Sequence, residues 1–217
     1  MQPTRLETQA WYDRISPLYD LISDPWEKAS RQEGVRLLNP QPGEIYIDIG
    51  CGTGHGLAAM VQAAGSGVRV YGLDLSMRML RVSAERVNSL QISSAVQLVA
   101  GDATCLPFGK ESFDAIFASY TIELFSCDEM PLLLQELQKA LRPNGRLCAV
   151  SLSKSGKSLF MRQLYIWGQR RFPKWIDCRP IHLAQALVTA GFMLDQVYIR
   201  NLLDLPVEIV LARRGES

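Results

Sequence analysis

Short apolar runs alternate along this chain with longer stretches in which apolar positions recur every three or four residues. Ile45-Tyr46-Ile47 with Ile49 is rich in β-branched side chains. Such a run suits a strand covered on both faces of a parallel sheet. Similar runs stand at Val68–Leu73, Val96–Ala100, Phe113–Ala118 and Arg146–Leu152. Between them the spacing turns helical: Leu57–Ala64, Met77–Leu90 capped by Ser76, and a segment reaching Leu141 that Ser126 and Glu129 open as a capping box. Strands alternating with helices predict an α/β fold, doubly wound around a mostly parallel sheet with right-handed crossovers.

The rhythm changes at both ends. Residues 4–21 hold two Tyr-Asp pairs, Tyr12-Asp13 and Tyr19-Asp20, among expected short helices. Asp24-Pro25 reads as the N-cap and first residue of a helix over Trp26–Leu38, closed off by Pro40 and Pro42. The expected division is an N-terminal helical cap over 1–42 and a main domain over 43–217. Late in the chain, Leu159–Phe172 and Pro180–Ala190 read as helices, and 153–181 as a helical insertion on the substrate side. Met193–Ile199 and Val207–Ala212 read as strands whose short connection makes them an antiparallel C-terminal hairpin.

The first of these strands runs into a glycine-rich turn: Gly50, Gly52, Gly54 and Gly56 occupy every second position. Glycines so spaced allow a sharp turn and let a ligand lie against bare backbone. A helix N-terminus follows, with outward-facing N–H groups. The dinucleotide pattern G-x-G-x-x-G fails, because its third glycine would fall on His55 or Leu57. Asp48 precedes the turn, and a carboxylate there suits a ligand with a cationic or hydroxyl-rich part. Asp74 ends the second strand, 20 residues beyond Gly54, where doubly wound folds place an acceptor for ribose hydroxyls. Asp102 ends the third strand and Ser119 the fourth, so Asp48, Asp74, Asp102 and Ser119 are expected to converge at the carboxyl ends of the sheet.

Composition narrows the partners. Of 217 residues, 47% are hydrophobic and 21% charged, with a net charge of +1, which gives no electrostatic argument for nucleic acid. Charge is uneven: Ser153–Ile181 holds seven Lys/Arg and one Asp. Within it, residues 159–175 mix aromatics and aliphatics with Arg, either as a helix packed on the sheet edge or as a peripheral contact with an anionic membrane. Five cysteines without a C-x-x-C spacing and only two histidines predict no metal site. Free thiols and an N-terminus without a signal-peptide core point to a cytoplasmic setting.

With these residues in hand, the chain resembles class I S-adenosylmethionine-dependent methyltransferases, most closely those that C-methylate ubiquinone and menaquinone precursors. The resemblance rests on Asp48-Ile49-Gly50-Cys51-Gly52-Thr53-Gly54, Gly72-Leu73-Asp74-Leu75-Ser76, Gly101-Asp102-Ala103, Leu106-Pro107-Phe108, Ser112-Phe113-Asp114-Ala115 and Leu141–Leu147. It implies a seven-stranded sheet with the last strand inserted antiparallel. It implies S-adenosyl-L-methionine as cofactor, held by Tyr19, Asp48, Gly50, Gly52, Gly54, Asp74, Leu75, Asp102, Ala103 and Ser119. Asp74 would hold the ribose, and Asp102 with Ala103 would border the adenine. After the fourth strand, Tyr120–Phe125 departs from the quinone-pathway pattern, which bears on the acceptor.

Methyl transfer by in-line displacement asks chiefly for alignment. A carbon nucleophile also needs a base, and Glu123, after the fourth strand, is the catalytic candidate. The expected acceptor is small and apolar, such as a demethylmenaquinol or ubiquinol precursor. Two alternatives stay open here: N-methylation of a phospholipid headgroup or small amine, and a nucleotide-binding protein without catalysis.

Overall fold

The structure, a computed structural model, describes residues 27–154, 180–202 and 205–215. Tyr19, the Asp24-Pro25 cap and the 159–175 segment lie outside the described residues. Helix α1 occupies residues 27–38. It is followed by β1 (Ile45–Ile49), α2 (His55–Ala64), β2 (Arg69–Asp74), α3 (Met77–Ser89), β3 (Val96–Ala100) and β4 (Phe113–Ser119). A short 3-10 turn (Ile122–Leu124), α4 (Met130–Ala140), β5 (Leu141–Leu152), α5 (Leu183–Thr189), β6 (Phe192–Leu202) and β7 (Leu205–Arg214) complete the order.

The seven strands form one sheet in the order β3-β2-β1-β4-β5-β7-β6. The first five are mutually parallel, and β7 pairs antiparallel with both β5 and β6. β1 lies inside the sheet and pairs with β2 on one side and β4 on the other, which fits its apolar run, interrupted only by the buried Asp48. Strand order reverses between β1 and β4, so the glycine turn leaving β1 stands at the topological switch point.

Alternate side chains of these strands serve two cores. Tyr46, Val70, Phe117 and Val150 face one cluster, shared with Val35 and Leu38 of α1, Leu57 and Met60 of α2, and Leu80 and Val87 of α3. Ile47, Leu73, Ile116 and Leu147 face the other, with Leu133, Leu134 and Leu137 of α4 and Leu183 and Leu187 of α5. Each such fully buried aliphatic contributes about 1.5–3 kcal/mol of transfer free energy. α1 reaches the sheet because residue 34 is glycine: a Cβ there would stand 2.8 Å from Val150 Cγ2 and 3.0 Å from Phe117 Cε2.

Several boundaries differ from the sequence reading. α2 begins at His55, not Leu57, because Gly54 takes φ 85° and starts the helix directly from the turn. β5 extends from Leu141, with Phe113 opposite Leu141 and then Ala115 opposite Arg146. Pro143-Asn144-Gly145 is thus an excursion within the strand, with Asn144 at φ 61°. α5 begins only at Leu183, since Ile181 pairs with Ser153 as an isolated parallel bridge. The capping box is present: Glu129 Oε2 accepts from Ser126 N at 3.0 Å, and Ser126 Oγ accepts from Glu129 N at 3.2 Å. Among the described residues, no helix is long and apolar enough to cross a membrane.

Candidate functional site

Three glycines of the turn after β1 take the left-handed backbone region, Gly50 at φ 66°, Gly52 at 52° and Gly54 at 85°. The turn is fastened to the neighbouring strand: Gly50 N and Cys51 N both donate to Leu73 O, at 2.8 and 3.0 Å. The Asp74 carboxylate completes the attachment. Its Oδ2 accepts from Gly52 N and its Oδ1 from Ser76 N, each at 2.8 Å. Asp74 therefore ties the glycine turn to the start of α3, where Ser76 Oγ in turn accepts from Met79 N at 3.1 Å.

Asp48 is buried, at 3% exposure, under the first turn of α2. Burial raises its pKa to about 8, Arg31 acting to lower it and Asp74 to raise it. At position 56 a Cβ would collide with Asp48 Oδ2, so any side chain there must displace the buried carboxylate. At Gly52 the opposite holds: a Cβ would meet nothing closer than the Gly50 carbonyl at 4.0 Å. Bare backbone there borders open space.

That space is a cleft of about 410 Å³, lined by Glu27, Arg31, Asp48, Gly50, Cys51, Gly52, Thr53, His55, Gly56, Phe117 and Ser119. Of the four side chains expected to converge at the strand ends, Asp48 and Ser119 line the cleft together with Gly50 and Gly52, whereas Asp74 and Asp102 are not among its lining residues. The Ser119 Oγ is buried and has no hydrogen-bond partner among the described residues.

Gly54, Leu75, Asp102 and Ala103, also expected at the site, are not among the residues lining the cleft. Gly54 packs toward α3, where a Cβ would meet Ser83 Oγ at 2.5 Å. Leu75 is 36% exposed beyond the end of β2. Gly101 N donates to Asp74 O at 3.0 Å, which sets Asp102 and the buried Ala103 at the adjoining strand end. Asp102 Oδ1 accepts from Thr104 N and Oγ1, both at 2.8 Å.

Glu123 is fully buried and is not among the residues lining the cleft. Its Oε1 accepts from Leu152 N at 3.2 Å, while Oε2 has no partner among the described residues. Burial raises its pKa to about 8, partly opposed by backbone hydrogen bonds and Ser151. No group of three or more acidic, His or Cys side chains able to hold a metal occurs among the described residues.

Sequence reasoning missed Glu27 and Arg31. In the sequence they are an ordinary i,i+4 helical pair; in the fold their charges lie 3.6 Å apart in the wall of the cleft. Ser30 between them meets Tyr120 Oη through its Oγ at 2.7 Å, which holds α1 against the end of β4.

Residues 47–145 match the family model for a methyltransferase domain. Over 204 residues the chain is 26% identical to 2-phytyl-1,4-naphtoquinone methyltransferase of Trichormus variabilis, spanning 91% of this chain and 82% of that protein. Over 159 residues it is 32% identical to demethylmenaquinone methyltransferase of Bacillus cereus, spanning 71% of this chain and 65% of that one. The match thus reaches a little under two thirds of the Bacillus protein's length. The crystal structure of the cyclase SpnF is similar with a TM-score of 0.79 at 17% identity, covering 100% of this chain and 98% of that one, a likeness of fold.

Proposed function

Since the chain belongs to the S-adenosylmethionine-dependent methyltransferases, we propose as its specific activity the C-methylation of a small, largely apolar acceptor of the prenylated quinol type. The observation that carries the donor side is the meeting of bare glycine backbone and buried polar side chains in one cleft at the switch point. The acceptor follows from chemistry shared with the relatives, whose names specify naphthoquinone-type compounds.

The residues present fit the cofactor. Gly52 leaves room where any side chain would intrude, and Asp48 and Ser119 supply buried polar atoms at its edge. When bound, S-adenosyl-L-methionine supplies a methyl group on a sulfonium centre with a thioether as leaving group. In this reading Gly50 and Gly52 approach the methionine part, and the Asp74 carboxylate, which already accepts from Gly52 N and Ser76 N, also accepts the ribose hydroxyls. Asp102 and Ala103 border the adenine, and Leu75 packs beside the ribose. The protein's main contribution is alignment, with several kcal/mol available and roughly 7–11 in the best cases.

A ring carbon that gains a methyl must lose a proton. Glu123 is the acceptor of that proton in this reading. Burial brings its pKa to about 8, close to a working pH, as a general base requires. Because it stands outside the lining of the donor cleft, it would serve the acceptor and not the donor.

The test is transfer of labelled methyl from S-adenosylmethionine to a lipid and metabolite extract, with mass identification of the labelled product. A prenylated quinol carrying the label on ring carbon is the expected result. Label on nitrogen of a headgroup or amine would replace this reading with N-methylation. Calorimetry with S-adenosylmethionine and NAD checks the donor separately; binding of NAD alone would sink the assignment.

A further inference from the structure

We infer that Arg31 receives the α-carboxylate of the donor's methionine end, so that the N-terminal helix reads the charged tail of the ligand. The inference rests on the donor assignment above and adds a residue outside every motif that carried it.

Three observations converge. Among the residues lining the cleft, the charged side chains are Glu27, Arg31 and Asp48, and Arg31 is the one that is permanently cationic. It is 8% exposed, and its guanidinium stands 3.6 Å from the Glu27 carboxylate in the same wall, so the charge is held at the cleft and not in bulk water. Its helix is firmly docked. Ser30, the preceding residue, meets Tyr120 Oη at 2.7 Å, and Tyr120 itself holds a left-handed backbone at φ 54°. Gly34, three residues on, lets α1 touch Phe117, another residue of the cleft wall.

The charges match the ligand's tail. The methionine end carries one carboxylate and one ammonium. A guanidinium can take a carboxylate through two parallel N–H donors. The carboxyls of Glu27 and Asp48 in the same wall offer acceptors to the ammonium. Arg31 is thus a positioning residue: it fixes the tail and, through it, the sulfur that must align with the acceptor.

Titration calorimetry with two ligands tests this. S-adenosylhomocysteine has the amino-acid tail, and 5′-methylthioadenosine lacks it. Arg31→Gln should weaken S-adenosylhomocysteine by roughly ten- to a hundredfold and leave 5′-methylthioadenosine within about threefold. Arg31→Lys, a point charge, should recover part of the loss. Equal weakening of both ligands, or no weakening of either, overturns the inference. A check that needs no variant is available should Arg31→Gln fail to fold. The wild-type protein must bind S-adenosylhomocysteine at least about tenfold more tightly than its decarboxylated analogue, and equal affinities would overturn the inference. Failure of the wild-type protein to bind either nucleoside would instead overturn the donor assignment, and this inference with it.

Discussion

The two halves of the sheet handle polar groups differently. On the β3-β2-β1 side, strands are five or six residues long, all parallel, and each ends in a turn whose backbone does the chemical shaping. Asp74 there accepts from main-chain N–H groups of two turns at once. On the β5-β7-β6 side, strands run 10 to 12 residues, and β7 runs antiparallel to both of its neighbours. Single buried carboxyls do the corresponding work. Glu208 of β7 accepts from Ser153 Oγ and from Leu183 N and Ala184 N, all at 3.2 Å, and so serves the start of α5 from a distant strand. The first half depends on where side chains are missing, the second on where one charged side chain has found its partners.

Substitutions on each side should therefore fail in different ways. The largest effect is expected from Gly56→Val. Its Cβ would take the place of Asp48 Oδ2, which stands 2.3 Å away. S-adenosylhomocysteine affinity should fall by roughly a hundredfold or more, with overpacking costing about 1–3 kcal/mol of stability besides. An affinity within threefold of wild type, measured by calorimetry, would break the claim that the first half works through absent side chains.

Glu208→Ala should do the reverse. It removes the acceptor of two backbone donors at the start of α5, Leu183 N and Ala184 N, and of Ser153 Oγ after β5, and we expect a loss of about 2–3 kcal/mol in urea denaturation. Donor affinity should stay unchanged, because Glu208 is not part of the cleft lining. A large loss of donor affinity in a folded Glu208→Ala protein would show that the halves are not separable.

Glu123→Gln sharpens the same point through pH. Burial raises the pKa of the Glu123 carboxyl from its ordinary 4.5 to about 8. Its contribution to stability is therefore complete below about pH 4.5 and is lost as pH rises through about 8. The glutamine variant lacks that loss. Its stability relative to wild type should increase from about pH 5 to about pH 8.5. Asp48 follows the same trend in both proteins and cancels from the difference. Parallel urea midpoints across that range would contradict the buried, protonated state. The smallest effect belongs to Ser76→Ala, which removes the α3 cap bond to Met79 N. It should cost about 1 kcal/mol, or roughly 2–4 °C in Tm.

Much of the parallel sheet was legible because its signals are local. Short runs rich in β-branched and aliphatic residues mark strands locally, and those at Ile45–Ile49 and Val96–Ala100 have the same bounds in the fold. Boundaries set by backbone geometry were harder. Neither the early start of α2 nor the extension of β5 back to Leu141 follows from hydrophobic spacing. In the site, the glycines and Asp48 announced themselves by spacing. Glu27 and Arg31 did not, since an i,i+4 ion pair looks the same on any solvated helix.

The sequence by itself determined the strand-and-helix alternation, the glycine turn and the acidic residues at successive strand ends. These depend on residues close together in the chain, where periodicity and turn chemistry act directly. Tertiary structure alone decided which carboxyls became buried, which backbone groups they accept from, and that α1 closes one wall of the cleft. Those outcomes depend on residues separated by tens of positions, such as Ser30 with Tyr120 or Glu208 with Leu183. Burial then changes the charge state of a side chain whose letter in the sequence stays the same.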